Sequence, residues 1–367
     1  MRLVRGGVLT LVAVFALVSV PLRAQQSDER LKRVTEDLFS RAEHVDADIA
    51  ELKSVLAADP KSAQAHMLLG IAYRAKDSPD LMAEAIGELR QAVALDPSLV
   101  PAYLYLAHLY LDLSRPDRAK EELQAALAQA PGQPQLQALL AECERQLGNP
   151  KDALDLAQQA LAANASLAEA RFYEGKALYD LGRRDEAIED FERVVREGGQ
   201  RFEVYSSLGT AYLETGRTDQ AIASLTDAIK LDPSRPEPMI QLARAYRLKG
   251  DVARAELPLA HARTLMGSAV SAADQQVERD WYVEEGVLRL QTKQLDAAAR
   301  DLKKAVDLDS SFGPGHRYLA EVYIRQGLYT QAQDQAVRAE KLGSPLPPDL
   351  RKTLDEKLRA SRPKGRS

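Results

Sequence analysis

The chain has 367 residues, 28% of them charged, with 49 Lys and Arg against 54 Asp and Glu for a net charge of −5. Both signs are interspersed, which leaves no basic footprint for nucleic acid, and the lone Cys143 excludes an intramolecular disulfide. Ala, Leu, Glu, Gln, Arg and Asp dominate, and β-branched or aromatic runs of strand length are scarce beyond the N-terminus, so the chain reads as all-α.

Residues 1–24 stand apart from the rest of the chain. Arg2 and Arg5 make a positive start, Val8 to Val20 an uncharged apolar run, and Pro21-Leu22-Arg23-Ala24 a cleavage region, which is the pattern of a secretory signal peptide cut near Ala24. The apolar run falls short of the roughly 20 residues a membrane-spanning helix needs. The expectation is therefore export, periplasmic or secreted, with no membrane insertion after cleavage. Residues 25–62 come next as a degenerate N-terminal capping repeat. Its second helix, Asp48 to Pro60, carries Leu52, Val55 and Pro60 in the register of the repeats downstream.

From Ala63 the chain repeats. Small residues at Gly70, Ala107, Ala141, Gly175, Gly209, Ala243, Gly286 and Ala320 are separated by 37, 34, 34, 34, 34, 43 and 34 positions, and each is followed by an alanine, from Ala85 to Ala332. Each repeat predicts a first helix with one packing stripe, such as Tyr103, Leu106, Ala107 and Tyr110. A second helix then carries a facing stripe, such as Ala119, Leu123 and Ala126. Small residues on facing helices let the backbones approach in an antiparallel hairpin. Gly148, Gly182, Gly216, Gly250 and Gly327, each seven residues after the small slot, suit a left-handed C-cap. Asp96-Pro97, Ala130-Pro131 and Asp232-Pro233 stop the second helices, because proline disfavours helix at the residue before it. One hairpin cannot bury its outer face alone, so neighbours must stack into a solenoid.

The order of bulky residue, Leu-Gly, Tyr, Ala, bulky residue, Ala and Pro resembles the tetratricopeptide repeat family from Ala63 to about Ser344. Tyr205-Ser206-Ser207-Leu208-Gly209-Thr210-Ala211-Tyr212, with Ala221, Leu225, Ala228 and Pro233, is nearly the whole motif. The resemblance implies a right-handed superhelical solenoid of antiparallel helix hairpins, with repeats 1–6 over residues 63–267 and repeats 7–8 over 279–346. The wider spacing before repeat 7 makes residues 268–278 an insertion, either an extended loop or a lengthened first helix leading into Trp281, and a place where the array can divide into two blocks. Residues 347–367 read as a capping helix through Leu350, Leu354 and Leu358 and a basic tail. Glu144, Glu174, Glu285 and Arg289 replace an expected Tyr or Leu, which means looser packing or a different use of long side chains.

No metalloprotease, nucleophile-turn, phosphate-loop or dinucleotide-binding motif is present, and the histidines are scattered singly, with His66 and His316 in packing slots. No catalytic, cofactor-binding or metal residues are expected, and the chain reads as a non-enzyme. The family resemblance implies a scaffold that holds extended peptides or helices along a concave face formed by the first helices. A second face on those helices runs through Leu104, His108 and Leu111; Phe172, Lys176 and Tyr179; Ile240, Arg244 and Arg247; and Val283, Val287 and Leu290. Part of it packs on the next repeat. His108, Phe172, Lys176, Tyr179, Arg244 and Arg247 are its candidate partner-binding residues, since aromatic rings and arginines suit interfaces. The Lys/Asn carboxylate clamp of some family members is not matched at the corresponding positions. The expected function is a non-enzymatic protein- or peptide-binding scaffold or adaptor of the bacterial cell envelope. The alternative is a self-associating structural component of an envelope complex.

Overall fold

The computed structural model describes residues 22–40, 44–76, 78–267 and 274–361, which hold nineteen helices and no strand. In chain order these are α1 (Leu22–Ser40), α2 (Val45–Ala58), α3 (Ala63–Ala75), α4 (Pro79–Leu95), α5 (Val100–Asp112), α6 (Pro116–Gln129), α7 (Pro134–Gln146), α8 (Pro150–Ala163), α9 (Ala168–Asp180) and α10 (Arg184–Arg196). Next come α11 (Phe202–Glu214), α12 (Thr218–Leu231), α13 (Glu237–Leu248), α14 (Val252–Met266), α15 (Asp274–Gln291), α16 (Leu295–Leu308), α17 (Gly313–Gln326), α18 (Tyr329–Lys341) and α19 (Pro348–Ser361). The signal-type segment up to residue 21, residues 268–273 of the insertion and the tail from residue 362 lie outside the described residues. Among those described, no helix is long and apolar enough to cross a membrane.

The chain divides into two compact units, Met1–Val204 and Tyr205–Ser367, with the boundary inside α11. Within each, consecutive helices pair as hairpins, α3 with α4 and α9 with α10 in the first, α13 with α14 and α17 with α18 in the second. The small slot is what allows the close approach. A Cβ on Gly175 would lie 2.7 Å from the ring of Phe191, and one on Gly209 would lie 2.5 Å from Leu225. The facing alanines Ala187 and Ala221 are fully buried, so the hairpin seam has no room for growth on either side.

First helices end in the left-handed conformation foreseen for glycine. Gly148 and Gly182 sit at φ 84° and 82°, and the following amides close the cap, Asn149 N–H donating to the Glu144 carbonyl at 2.9 Å and Arg183 N–H to Leu178 at 2.9 Å. Two repeats lack the glycine but keep the geometry. Ser114 and Lys293 occupy the slot at φ 55° and 62°.

Successive repeats are stapled by a recurrent polar side chain early in the first helix. His66 reaches the Pro60 carbonyl at 3.1 Å and the Glu88 carboxylate, Arg171 reaches the Ala165 carbonyl at 3.1 Å and Asp190 at 3.4 Å, and His316 reaches the Ser310 carbonyl at 3.1 Å and Gln335 at 2.7 Å. Each links the preceding turn to its own second helix. The unexpected charges are used in the same way, by ion pairing rather than by loosening. Glu144 takes Lys120 at 2.7 Å and Asn149 at 2.9 Å, and Arg289 joins Glu285 to Asp301.

The insertion does not divide the array. Helix α15 already begins at Asp274, so the first helix of repeat 7 is lengthened, and the Trp281 indole N–H donates to the Leu259 carbonyl of α14 at 2.8 Å. Both flanks belong to the second unit. The Trp281 ring also lies 5.2 Å from the Arg263 guanidinium of α14, a cation–π contact between the two helices.

Candidate functional site

In the first unit, α3, α5, α7 and α9 pack in sequence, each touching the next first helix along. Their shared face carries a chain of ion pairs. Arg74 on α3 donates to Asp112 on α5 at 2.7 Å. On α7, Glu142 accepts two hydrogen bonds from Arg145, at 2.9 and 3.0 Å, one from Gln146 at 2.9 Å and one from Lys176 on α9 at 2.6 Å. Arg145 also donates to Asp180 on α9 at 2.8 Å. Arg201, from the segment entering α11, lies 3.5 Å from Glu169.

Glu142 is recessed at the centre of this network, while Arg74 and Asp112 at its α3 end stay open to water. Burial favours protonation of Glu142, but the hydrogen bonds from Arg145 and the charge of Lys176 overcome it and hold the carboxyl down at about 2. His108 falls to about 4, first through burial and then through Arg74 and Arg201, so its imidazole is neutral at physiological pH. Desolvation raises the phenols of Tyr105 and Tyr173. Lys176 lies 5.4 and 5.8 Å from the ring centroids of Phe172 and Tyr173, a cation over two aromatic faces. His108, Tyr105 and Tyr173 are half-buried rather than sealed, and none of the three side chains hydrogen-bonds to a described residue. The strip therefore presents polar groups and ring surface among ion pairs, with the Arg201 Nη2 buried and without a hydrogen-bond partner and the carboxylates of Asp112 and Asp180 open to water.

The six residues taken from the register divide between the two units. His108 and Lys176 line the strip. Phe172 is a core residue, 6% exposed, with its ring centroid 5.6 Å from Phe191 and 5.8 Å from Tyr173. Its position after the bulky slot turns it into the hairpin seam, from which it supports Tyr173 and Lys176. The ring of Tyr179 lies 4.5 Å from the Arg184 guanidinium, which also donates to its carbonyl. In the second unit Arg247 is 7% exposed and donates to Glu284 on α15 at 2.9 Å, so its fork is spent within the protein. Arg244 lies 3.8 Å from the same carboxylate and keeps 41% of its side chain exposed. Tyr105, Tyr173 and Glu142 also belong to the strip. Tyr105 and Tyr173 lie two repeat lengths apart, off the periodic face of the first helices and one residue beyond Leu104 and Phe172, while Glu142 lies one repeat from both His108 and Lys176.

Cys143, beside this strip, is fully buried, and burial with Glu142 and Glu144 pushes its thiol up to about 12. It is a packing residue with no thiolate at neutral pH.

Two family profiles, each described as tetratricopeptide repeat, match residues 82–143 and 212–263 and residues 37–100 and 144–202, which together make up more than half of the chain. The chain is a tetratricopeptide repeat protein. Among solved structures, a chain of the APC/C hetero-tetramer Cut9-Hcn1 matches this tetratricopeptide repeat chain with a TM-score of 0.69 at 14% identity, over 91% of this chain and 64% of that one. The chain thus spans under two thirds of that relative's length. Pseudomonas aeruginosa pilF matches at 0.48 and 21% identity, over 60% of this chain and 96% of pilF. A tetratricopeptide repeat protein from Parabacteroides merdae matches at 0.44 and 17%, over 81% and 99%. The Cut9-Hcn1 likeness carries the fold. No curated protein matches the chain.

Proposed function

We propose that this tetratricopeptide repeat protein is a non-enzymatic scaffold of the bacterial cell envelope, exported by its N-terminal segment, that holds an extended part of a partner polypeptide along the first-helix face of its first unit. One observation carries the reading: Tyr105, His108 and Tyr173 are half-buried and make no side-chain hydrogen bond to a described residue, on a face of consecutive first helices where Arg74, Arg145 and Lys176 are paired. Half-buried polar groups beside ring surface, held on packed helices, are the makings of a preorganised interface. Export is supported by Arg2, Arg5 and the uncharged run from Val8 to Val20.

The test places a photo-cross-linking residue at Tyr105, Tyr173 or the exposed Glu189 in cells of a bacterial host and analyses the envelope fraction. Cross-links to another polypeptide at positions 105 and 173, with none at 189, are expected. Cross-links solely to a second copy of the chain would favour a self-associating structural component, and cross-links confined to position 189 would move the binding surface to the other side of the hairpins.

A further inference from the structure

We infer a second recognition site, in the second unit: the groove between α16 and α18 takes an acidic side chain of a partner polypeptide, held between Lys303 and Arg338. It is independent of the first-helix strip of the first unit and stands whether or not that strip binds a partner.

The same kind of groove in the first unit shows what it holds. There α4 and α6 both pack on α5, which lies between them in the chain. Arg90 on α4 reaches Glu122 on α6 with hydrogen bonds of 3.1 and 3.3 Å, and its guanidinium lies 5.7 Å from the ring centroid of Tyr110 on α5. A cation, a phenol ring and a carboxylate thus come from three successive helices, and the chain supplies the anion itself.

These register positions recur on α16, α17 and α18, where α16 and α18 again both pack on the helix between them. Counted from the alanines at 85, 119, 298 and 332, Lys303 corresponds to Arg90 and Gln335 to Glu122; counted from Ala107 and Ala320, Tyr323 corresponds to Tyr110. The cation and the phenol are kept, and the carboxylate has become an amide. Gln335 is itself engaged with His316 at 2.7 Å. Where α6 has Ala125, α18 adds a second cation, Arg338. A cavity of about 340 Å³ opens among these residues, with the buried Val306 and Leu319 as its apolar floor. Lys303 and Arg338 are exposed, and neither pairs with a carboxylate among the described residues. The half-buried Tyr323 makes no side-chain hydrogen bond to a described residue. Asp307, one turn beyond Lys303 on α16, is the one carboxylate in the lining, against two cations.

The groove therefore carries the cationic half of an ion pair whose anionic half no described residue supplies. An entering carboxylate meets the guanidinium fork of Arg338, the ammonium of Lys303 and the Tyr323 hydroxyl, all able to donate to it. The methylenes of the acidic residue and an apolar neighbour can cover Val306 and Leu319. A volume near the lower end of the roughly 300–1,000 Å³ of ligand pockets suits one or two side chains of a docked segment.

The test selects a displayed random library of peptides, roughly twelve residues long, on the full chain, with counter-selection on the double variant Lys303→Ala, Arg338→Ala. Both side chains are exposed, so the core is untouched. Circular dichroism checks the fold, and Lys303→Gln, Arg338→Gln takes the place of a variant that does not fold. Peptides lost on the variant are expected to be enriched in Asp or Glu beside an apolar residue. Their affinity should fall at least about fivefold between about 50 and about 500 mM salt and at least about tenfold when the acidic residue becomes its amide. Tyr105→Ala, Tyr173→Ala in the first unit should leave it unchanged. The charge-reversed Lys303→Glu, Arg338→Glu should select basic peptides instead. Variant-sensitive peptides without an acidic residue would overturn the carboxylate assignment, and a library in which every binder tolerates the variant would overturn the groove as a site.

Discussion

The first-helix faces of the two units use the same register slot in opposite ways. His108, Glu142, Lys176 and Arg244 are spaced by 34 residues or a multiple of it, and each stands on a first helix. In the first unit, Glu142 is the anionic centre on which Arg145 and Lys176 converge, and it sits buried among them. In the second, Glu284 gathers Arg247 into the interior, while Arg244, 3.8 Å away, remains largely in water as an open cation. A charge on such a helix is therefore defined by what the next repeat places opposite it.

The largest expected effects come from removing the two central carboxylates. Breaking a buried ion pair from one side costs about 3–5 kcal/mol, because the stranded partner keeps its desolvation penalty. Glu284→Ala should reach that range, since Arg247 is 7% exposed. Glu142→Ala should cost less, about 2–3 kcal/mol, because Arg145 retains Asp180 and Lys176 is partly open to water. Trp281, the single tryptophan, lies in the second unit. Its fluorescence during denaturant unfolding should respond to Glu284→Ala and barely to Glu142→Ala, which circular dichroism would register. An equal shift of the Trp281 transition by both variants would show that the two faces are not held separately.

A smaller and pH-dependent effect is expected at Asp190, whose counterpart at the same register in the second unit is Asp301, a buried aspartate whose carboxyl burial also pushes up. Burial first, and then Glu174, push the Asp190 carboxyl up to about 7 against the pull of Arg171. The folded state thus binds a proton that the unfolded chain has released above its ordinary pKa of about 3.9. Stability is lost as pH rises from about 4 to about 7. Asp190→Asn removes the titration, so it should raise the melting temperature at pH 8, a gain on the order of 2 kcal/mol that disappears near pH 4. A gain of the same size at both pH values would mean that packing, and not the proton, sets the difference.

The sequence made the repeat legible because glycine and alanine slots recur at fixed spacing, and steric exclusion at the Gly175–Phe191 and Gly209–Leu225 contacts explains why they must. The break inside α11 was hidden, since Tyr205 to Tyr212 is the most regular stretch of all. Of the site, His108 and Lys176 could be found from helical periodicity. Phe172 and Arg247 share that periodicity, yet their direction depends on partners elsewhere, Phe191 in the following helix and Glu284 across the widened spacing. Tyr105 and Tyr173 are hidden from that periodicity for a related reason: one residue of helical rotation separates a side chain spent in packing from one that stays half-buried.

The smallest expected effect should be the same in both units, which makes it a control for the larger differences between them. Ser114 and Lys293 hold the left-handed slot that glycine fills in the neighbouring repeats, at φ 55° and 62°. Their caps are complete, with Arg115 N–H donating to the Tyr110 carbonyl at 2.7 Å and Gln294 N–H to Arg289 at 2.8 Å. The hydrogen bonds therefore hold both residues where a Cβ crowds the following carbonyl, at a cost of roughly 1–2 kcal/mol each. Glycine removes that crowding but gives the unfolded chain more freedom, which returns about 0.5–1 kcal/mol. Ser114→Gly and Lys293→Gly should accordingly each stabilise by up to about 1 kcal/mol. Denaturant unfolding followed by circular dichroism measures the first and Trp281 fluorescence the second. Destabilisation at either position would mean that the side chain makes the turn rather than merely tolerating it, and the slot would then have to be counted among the features that distinguish one unit from the other.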